Sequence, residues 1–267
     1  MRVTIDPRFH DAVIFDLDGV VTDTASVHAE AWAEMFNDFL QRRQASDDEG
    51  HSPFTDDDYL HFVDGKARGD GVTDFLASRG ISLPPGPPAD GTADTISGLG
   101  ERKQEIFLKR VHAGVRVFES TVTLARKLAD TGIAVGVYSA SRNCERILKS
   151  AGLGDLFSVR VDGVVAEDLG LPGKPSPAVL LEATRRLGAV PQRSVVVEDA
   201  EAGVEAGSRG GFALVIGVDR AGGRAEELRR HGADVVVADL ADVVVRNGDE
   251  QTSPVDVDCD SSRRTEC

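Results

Sequence analysis

Hydrophobic residues fall along this chain in short unbroken runs: 12–15 (AVIF), 133–138 (IAVGVY), 194–197 (SVVV), 212–216 (FALVI) and 234–237 (DVVV). Runs this short and continuous predict strands buried on both faces, as in a parallel sheet; a half-exposed strand would alternate. Helical spacing fills the gaps between them. Phe118, Val122, Ala125 and Leu128 share one face over 118–130, with Gly132 as the terminator. Val179, Leu180, Ala183 and Leu187 do the same over 176–187, after Ser176-Pro177 as N-cap and first helical residue. Alternating strand and helix predicts an open α/β sheet with right-handed crossovers.

Residues 25–115 break this rhythm. They hold no clear strand but several helical stripes, the first carrying Val27, Ala31, Trp32, Met35, Phe36, Phe39 and Leu40. Further stripes cross 72–76 and 96–111, and a Pro-rich loop, LPPGPPADG, lies between them. The pattern predicts a helical domain, 25–115, inserted after the first strand into an α/β core made of 1–24 and 116–246. Residues 247–267 are polar and aperiodic, and a disordered tail is expected there.

Composition narrows the class of partner. The net charge of −15, from 30 basic against 45 acidic residues, argues against nucleic acid or an anionic membrane. It also means that any phosphorylated substrate must be held by local cations. Cys144, Cys259 and Cys267 form no CxxC and no zinc spacing, which suits a reducing cytoplasm. No apolar run reaches transmembrane length, and no charged-then-apolar leader pattern opens the chain. A cytoplasmic location is the expectation.

In an open parallel sheet, ligands bind beyond the carboxyl ends of the strands, where the strand order reverses. Asp16 and Asp18 follow the first run, and Ser139-Ala140-Ser141-Arg142-Asn143 follow the second. Lys174 precedes the 176–187 helix, and Glu198 and Asp199 follow the run at 194–197. Two carboxylates about 4 Å apart repel by about 1 kcal/mol in water and about 4 kcal/mol at an effective dielectric near 20. Four in one crevice require a cation, and oxygen-only donors favour Mg²⁺. Lys174 adds a fixed positive charge, Ser139 a hydrogen-bond donor, and the amides opening the helix over 142–151 further donors for an anion. The set describes a metal-assisted phosphate site in which an aspartate can form an aspartyl-phosphate. Other phosphate motifs fail: GLPGKPS lacks the first Gly of a P-loop and has Pro175 where Ser or Thr is needed, and GLGERK is no dinucleotide fingerprint.

With DLDGV at 16–20, then Ser139, Lys174 and the Glu198-Asp199 pair in that order, the chain resembles the haloacid dehalogenase superfamily. Within it the chain is similar to the β-phosphoglucomutases, through FDLDGVVTDTASVHAEAW, SASRN, GKPSP and VEDAEAGVEA, over roughly residues 11–240. It also resembles the N-terminal region of long mycobacterial trehalose-phosphate phosphatases. The resemblance implies a Rossmann-like open parallel sheet flanked by helices, with an inserted α-helical cap. It implies Asp16 as nucleophile and Asp18 as the acid that protonates the leaving oxygen and later the base. Mg²⁺ would be held by Asp16, the Asp18 main-chain carbonyl and Asp199, with Glu198 nearby. Ser139 and Lys174 would bind the transferring phosphoryl oxygens. Thr24 and His28 match positions that couple the hinge to substrate, and Ser141 and Asn143 match contacts to the distal phosphate or sugar.

The segment DGKARGDG, 64–71, corresponds to the family's substrate loop, with Gly65 and Arg68 matching directly. Arg68 would grip the non-reacting phosphate through its forked donors. Asp64 departs from the family, standing where relatives often have a lysine, and Lys66 is expected to supply that charge. Gly71 replaces a common hydroxyl. The implied activity is Mg²⁺-dependent interconversion of β-glucose 1-phosphate and glucose 6-phosphate through a bisphosphate, by a monomer acting on a small phosphorylated sugar. A sugar-phosphate phosphatase is the alternative, and an idle phosphosugar- or protein-binding domain is the third reading. Trp32 and Cys144 read as packing residues.

Overall fold

Val13, Ile14 and Phe15 have no exposed surface, as a strand without polar side chains must when helices cover both faces of its sheet. A computed structural model of the chain describes residues 3–47, 52–87, 91, 94–111 and 114–246. The first strands and helices are β1 (Val3–Ile5), β2 (Ala12–Asp16), α1 (Ala25–Asp47) and a single turn, α2 (Asp56–Asp58), which runs into a π-helical turn at Tyr59–Val63. Next come α3 (Arg68–Ser78), α4 (Ile96–Val111), α5 (Glu119–Asp130), β3 (Ala134–Tyr138), α6 (Cys144–Ser150) and β4 (Val159–Val161). The chain continues through α7 (Gly163–Asp168), α8 (Ala178–Arg186), β5 (Ser194–Glu198), α9 (Glu201–Arg209) and β6 (Leu214–Val218). It closes with α10 (Ala225–Arg230), β7 (Val235–Val237) and β8 (Val243–Val245).

Six strands form one parallel sheet in the order β4-β3-β2-β5-β6-β7, and β1 pairs with β8 in a separate two-stranded ladder. The order reverses between β2 and β5, so the crevice expected at a switch point opens beyond Asp16 and Glu198. Alternate residues of the central strands face opposite layers. Val13, Phe15, Val135, Val137, Val195 and Val197 pack with Val122 and Leu124 of α5, whereas Ile14, Tyr138 and Val196 pack with Leu180 of α8 and Val204 of α9.

All five apolar runs form strands, but β6 starts two residues after the beginning of its run. Ala213 donates instead to the carbonyls of Pro191 and Ser194, outside the ladder. At α8 it is Pro177 that occupies the N-cap, while the Ser176 hydroxyl accepts from the Ala178 amide at 3.3 Å. The sequence pattern did not reveal β1, β4 or β8, each only three residues long.

Between β2 and β3 the helices α1–α4 bury a cluster of their own, built on Trp32, Phe36, Phe39, Phe54, Phe75 and Leu99. Phe36 is its centre, with ring centroids 4.1 Å from Phe75 and 5.2 Å from both Trp32 and Phe54. Burying each such side chain contributes about 1.5–3 kcal/mol towards holding this layer together. The chain enters and leaves the layer side by side. The Asp23 amide donates to the Arg116 carbonyl at 2.9 Å and the Phe118 amide to Val21 at 3.0 Å, around an antiparallel bridge of Thr22 with Val117. Residues 247–267 and part of the Pro-rich loop lie outside the described residues. Among the described residues no helix is long and apolar enough to cross a membrane.

Candidate active site

β2 ends in Asp16, 4% exposed, and the chain turns at once over the crevice. Leu17 points into the core, which leaves Asp16 and Asp18 on the open side. The Asp18 amide donates to Asp16 Oδ2 at 2.8 Å, and Lys174 Nζ lies 2.5 Å from Asp16 Oδ1. Gly19 has φ +90°, and a Cβ there would lie 1.8 Å from Asp199 Oδ2. The motif therefore needs glycine both for the turn and for the close approach of Asp199.

Lys174 also donates to Glu198 Oε1, so the lysine is shared between the carboxylates that end β2 and β5. Asp16, Glu198 and Asp199 each bring an oxygen to within 4.8 Å of the others. Burial, with Glu198 and Asp18 and against the pull of Lys174, pushes the Asp16 carboxyl well up. Burial and then the charges of Asp64, Glu198 and Asp16 do the same to Asp199. One lysine therefore leaves a surplus of negative charge among hard oxygen donors, which fits a divalent cation of the Mg²⁺ kind.

Asp18 is held differently. Thr24 Oγ1 donates to its Oδ1, Ser139 Oγ donates to its Oδ2 at 3.1 Å, and His28 Nε2 lies 3.4 Å from Oδ1. Burial works against ionisation, but His28, Thr24 and Ser139 outweigh it and hold this carboxyl at about 2. Thr24 is 1% exposed and also shares a hydrogen bond of 2.8 Å with Thr22, so its hydroxyl fixes Asp18 at the hinge. Ser139 Oγ accepts from the Ser141 amide at 2.9 Å and Ser141 Oγ from the Asn143 amide at 3.2 Å, a staircase of hydroxyls leading into α6.

The helical layer closes over this centre. Gly65, with φ +70°, lets the 64–67 turn approach the core: a Cβ there would lie 3.0 Å from Ala200 Cβ and 3.7 Å from Lys174 Cδ. Arg68 donates to Glu101 at 2.8 Å and to Gln104 at 2.7 Å. Gln104 and Asn143 exchange amide hydrogen bonds of 2.7 and 3.0 Å, joining the helical layer to α6. Lys66 departs from expectation: its ammonium donates to Asp74 at 2.7 Å and to the His61 carbonyl at 3.3 Å, because α3 presents Asp74 to it. The charge at the Asp64 position stays negative. Asp64 faces Arg224 at 3.5 Å, and burial, opposed by Arg224 and reinforced by Glu198, pushes its carboxyl up to about 6.

A family model for haloacid dehalogenase-like hydrolases matches residues 10–211. The chain belongs to that family. A β-phosphoglucomutase of Mycobacterium bovis is 44% identical over 248 residues, 91% of this chain and 95% of that protein. A Mycobacterium tuberculosis protein described as an uncharacterized glycosyl hydrolase is 48% identical over 94% of this chain. The chain spans only 19% of that relative's length. A trehalose-phosphate phosphatase of Mycobacterium leprae is 45% identical over 51% of this chain and 30% of its own length. Among solved structures, a β-phosphoglucomutase from Clostridium difficile shares the fold with TM-score 0.69 at 23% identity, covering 87% of this chain and 92% of that one.

Beyond the motifs of its family, the site contains a lysine that the motifs do not mark. Lys103 of α4 is 4% exposed, its Nζ bonds to His28 Nδ1, and His28 stacks on Phe107 with centroids 4.0 Å apart. Asp18, held ionised, can only accept, so the proton of the neutral His28 ring is on Nε2, facing Asp18, and Nδ1 accepts from Lys103. The signal was present in the spacing, since Lys103 falls between Leu99 and Phe107 on the buried stripe of α4. Burial and then Arg68, against the pull of Asp18, push its ammonium down from 10.5 to about 7. From about pH 7 to 10.5 the unfolded chain therefore holds a proton that the folded chain has released. Stability rises over that window, and the penalty is full only below it. Relative to the parent, Lys103→Met is expected to be more stable near pH 6 than near pH 10 by at least about 1 kcal/mol, measured by thermal unfolding across that range. The variant also loses the His28 hydrogen bond and the cation–π contacts to Trp32 and Phe107, at 4.9 and 5.0 Å, so the change with pH is the readout.

Proposed function

We propose that this chain is a Mg²⁺-dependent phosphosugar mutase that interconverts β-glucose 1-phosphate and glucose 6-phosphate. Residues 25–115 serve as a cap that closes on the substrate, turning on the paired connections at Thr22 and Val117. The observation that carries this reading is a pair of donor clusters, to each of which we assign a phosphate. One is the Asp16–Lys174 centre beside Ser139. The other is the bridge of Arg68, Gln104 and Asn143 between cap and core. A reaction through a sugar bisphosphate needs both at once. The 44% identity with a β-phosphoglucomutase over almost the whole of both chains supports the same reading.

Asp16 attacks phosphorus and displaces the sugar oxygen, giving an aspartyl-phosphate, while Asp18 carries the proton to that oxygen. Asp18 then removes the proton from a second sugar hydroxyl as it takes the phosphoryl group back from Asp16. Lys174 and Ser139 hold phosphoryl oxygens, and His28 keeps Asp18 oriented. Asp16, Asp199 and the Asp18 carbonyl, with Glu198 beside them, would hold Mg²⁺, whose charge offsets that of the phosphoryl oxygens. The reading extends to a monomer in the cytoplasm, in keeping with the acidic composition and the buried, unpaired Cys144.

The test is incubation with Mg²⁺ and β-glucose 1-phosphate, with and without glucose 1,6-bisphosphate, following glucose 6-phosphate and free phosphate. Glucose 6-phosphate formed without matching phosphate release is the expected result. Rapid phosphate release from several sugar phosphates would make the chain a phosphatase. Silence across a broad phosphoester panel would make it a binding domain.

A further inference from the structure

Glu198 has no exposed surface, and every acceptor position it owns is in use. Its Oε1 accepts from the Tyr138 hydroxyl at 2.5 Å and from Lys174. Its Oε2 accepts from the amides of Asp199 and Ala200, both at 3.0 Å. A carboxylate offers about four lone-pair sites, so these four donors saturate it. Gly203 of α9 lies flat against the same group: a Cβ there would stand 1.9 Å from Oε1. Glu198 is thus locked within the protein, although it stands within the acidic cluster.

Tyr138 provides the lock from the other side. It ends β3 directly opposite Asp16 in register, is fully buried, and places its ring beneath Lys174, with Nζ 4.3 Å from the centroid. One side chain therefore supports the lysine twice, through cation–π contact and through the shared carboxylate. Two of the three Lys174 N–H bonds are committed, to Asp16 and Glu198, which leaves the third for a phosphoryl oxygen. The lysine's aim then depends on Glu198 staying still.

We propose that Tyr138 is a positioning residue for phosphoryl transfer: its hydroxyl on Glu198 and its ring under Lys174 hold the lysine at Asp16 and reserve Glu198 for that purpose. The proposal rests on the reading of Asp16 as nucleophile. Without the hydroxyl, Glu198 loses a donor and gains a free lone pair, and Lys174 can follow it away from Asp16. The phosphoryl group then meets a lysine that is no longer held in line with Asp16.

Tyr138→Phe removes only the hydroxyl and keeps the buried ring. Wild type and variant are compared by thermal unfolding, by acetic anhydride labelling of Lys174 read by mass spectrometry, and by phosphoenzyme formation from labelled acetyl phosphate with Mg²⁺. The variant is expected to stay folded, to expose Lys174 to labelling several-fold more, and to form phosphoenzyme about tenfold more slowly at saturating donor. Unchanged labelling and rate would overturn the proposal, as would a rate loss wholly explained by unfolding or by KM. If wild type forms no phosphoenzyme from any donor, the nucleophile reading has failed, and unchanged or raised labelling still decides whether Tyr138 positions Lys174.

Discussion

Asp16→Asn is expected to lower turnover by at least about 10⁴-fold while the protein remains folded. The amide keeps the shape and one acceptor of the carboxylate, but it cannot attack phosphorus to form an aspartyl-phosphate. The stability side follows from the surroundings of Asp16. Burial, Glu198 and Asp18 push its carboxyl up despite Lys174, so at neutral pH its ionised form is a burden on the fold. A carboxyl raised in the folded state adds stability only where it is protonated, and that stability is lost as pH rises past its ordinary value. Replacing it by a neutral amide removes that burden, and Lys174 still keeps Glu198 as a counter-ion. Circular dichroism and thermal unfolding at pH 7 should show a native spectrum and a Tm lowered by no more than a few degrees. Steady-state assay of the same preparation supplies the rate. Retained turnover, beyond what traces of wild type explain, would remove Asp16 from the mechanism.

How much of this centre the sequence discloses depends on whether a residue's place along the chain already directs it to the crevice. Asp16, Asp18, Lys174, Glu198 and Asp199 follow or precede buried apolar runs, and the parallel order of those runs already gathers their ends at one edge. The sheet was legible for the same reason: its long runs carry no polar interruption. The strands β1 and β4 were not, since each is three residues long with a polar residue, Thr4 or Arg160, at its centre; β8, like β7, is a Val triplet and was overlooked. Lys103 could be placed on the buried stripe of α4 by its spacing from Leu99 and Phe107, but its partner His28, like the Asn143 partner of Gln104, is supplied by tertiary packing. Lys66 shows the converse: the sequence places its charge near the expected loop, and packing pairs it with Asp74 within its own layer. Tyr138 was hidden by its ordinary place in a strand, where an aromatic residue needs no further explanation.

Asp18→Asn should leave the nucleophile able to receive a phosphoryl group yet unable to pass it on to a sugar. Burial is outweighed by His28, Thr24 and Ser139, and the Asp18 carboxyl is held at about 2. It is therefore ionised throughout the working pH range and stands ready as a base, the form needed to take a proton from an attacking sugar hydroxyl. To serve as an acid in the other half-reaction it must first gain that proton, which the same hydroxyl supplies. An amide at this position breaks the exchange. It keeps an oxygen for Thr24 or Ser139 but carries no proton between sugars, so mutase turnover should fall by about 10²–10⁴-fold. Acetyl phosphate has a leaving group that needs no protonation, so phosphorylation of Asp16 from it should be slowed far less. Labelled phosphoenzyme should accumulate in the variant and persist when glucose 6-phosphate is added, whereas in wild type it should be discharged. The wild-type rate of that discharge should also show no acid limb between pH 5 and 7 attributable to Asp18, because a carboxyl held near 2 loses none of its charge there. Equal losses with acetyl phosphate and with sugar phosphate would instead mean that the substitution has disturbed Asp16 itself, through the main-chain amide of residue 18 that donates to Asp16 Oδ2. Discharge to sugar at the wild-type rate would take the proton away from Asp18 and leave His28, on the other side of the same hydrogen-bonded group, as the carrier.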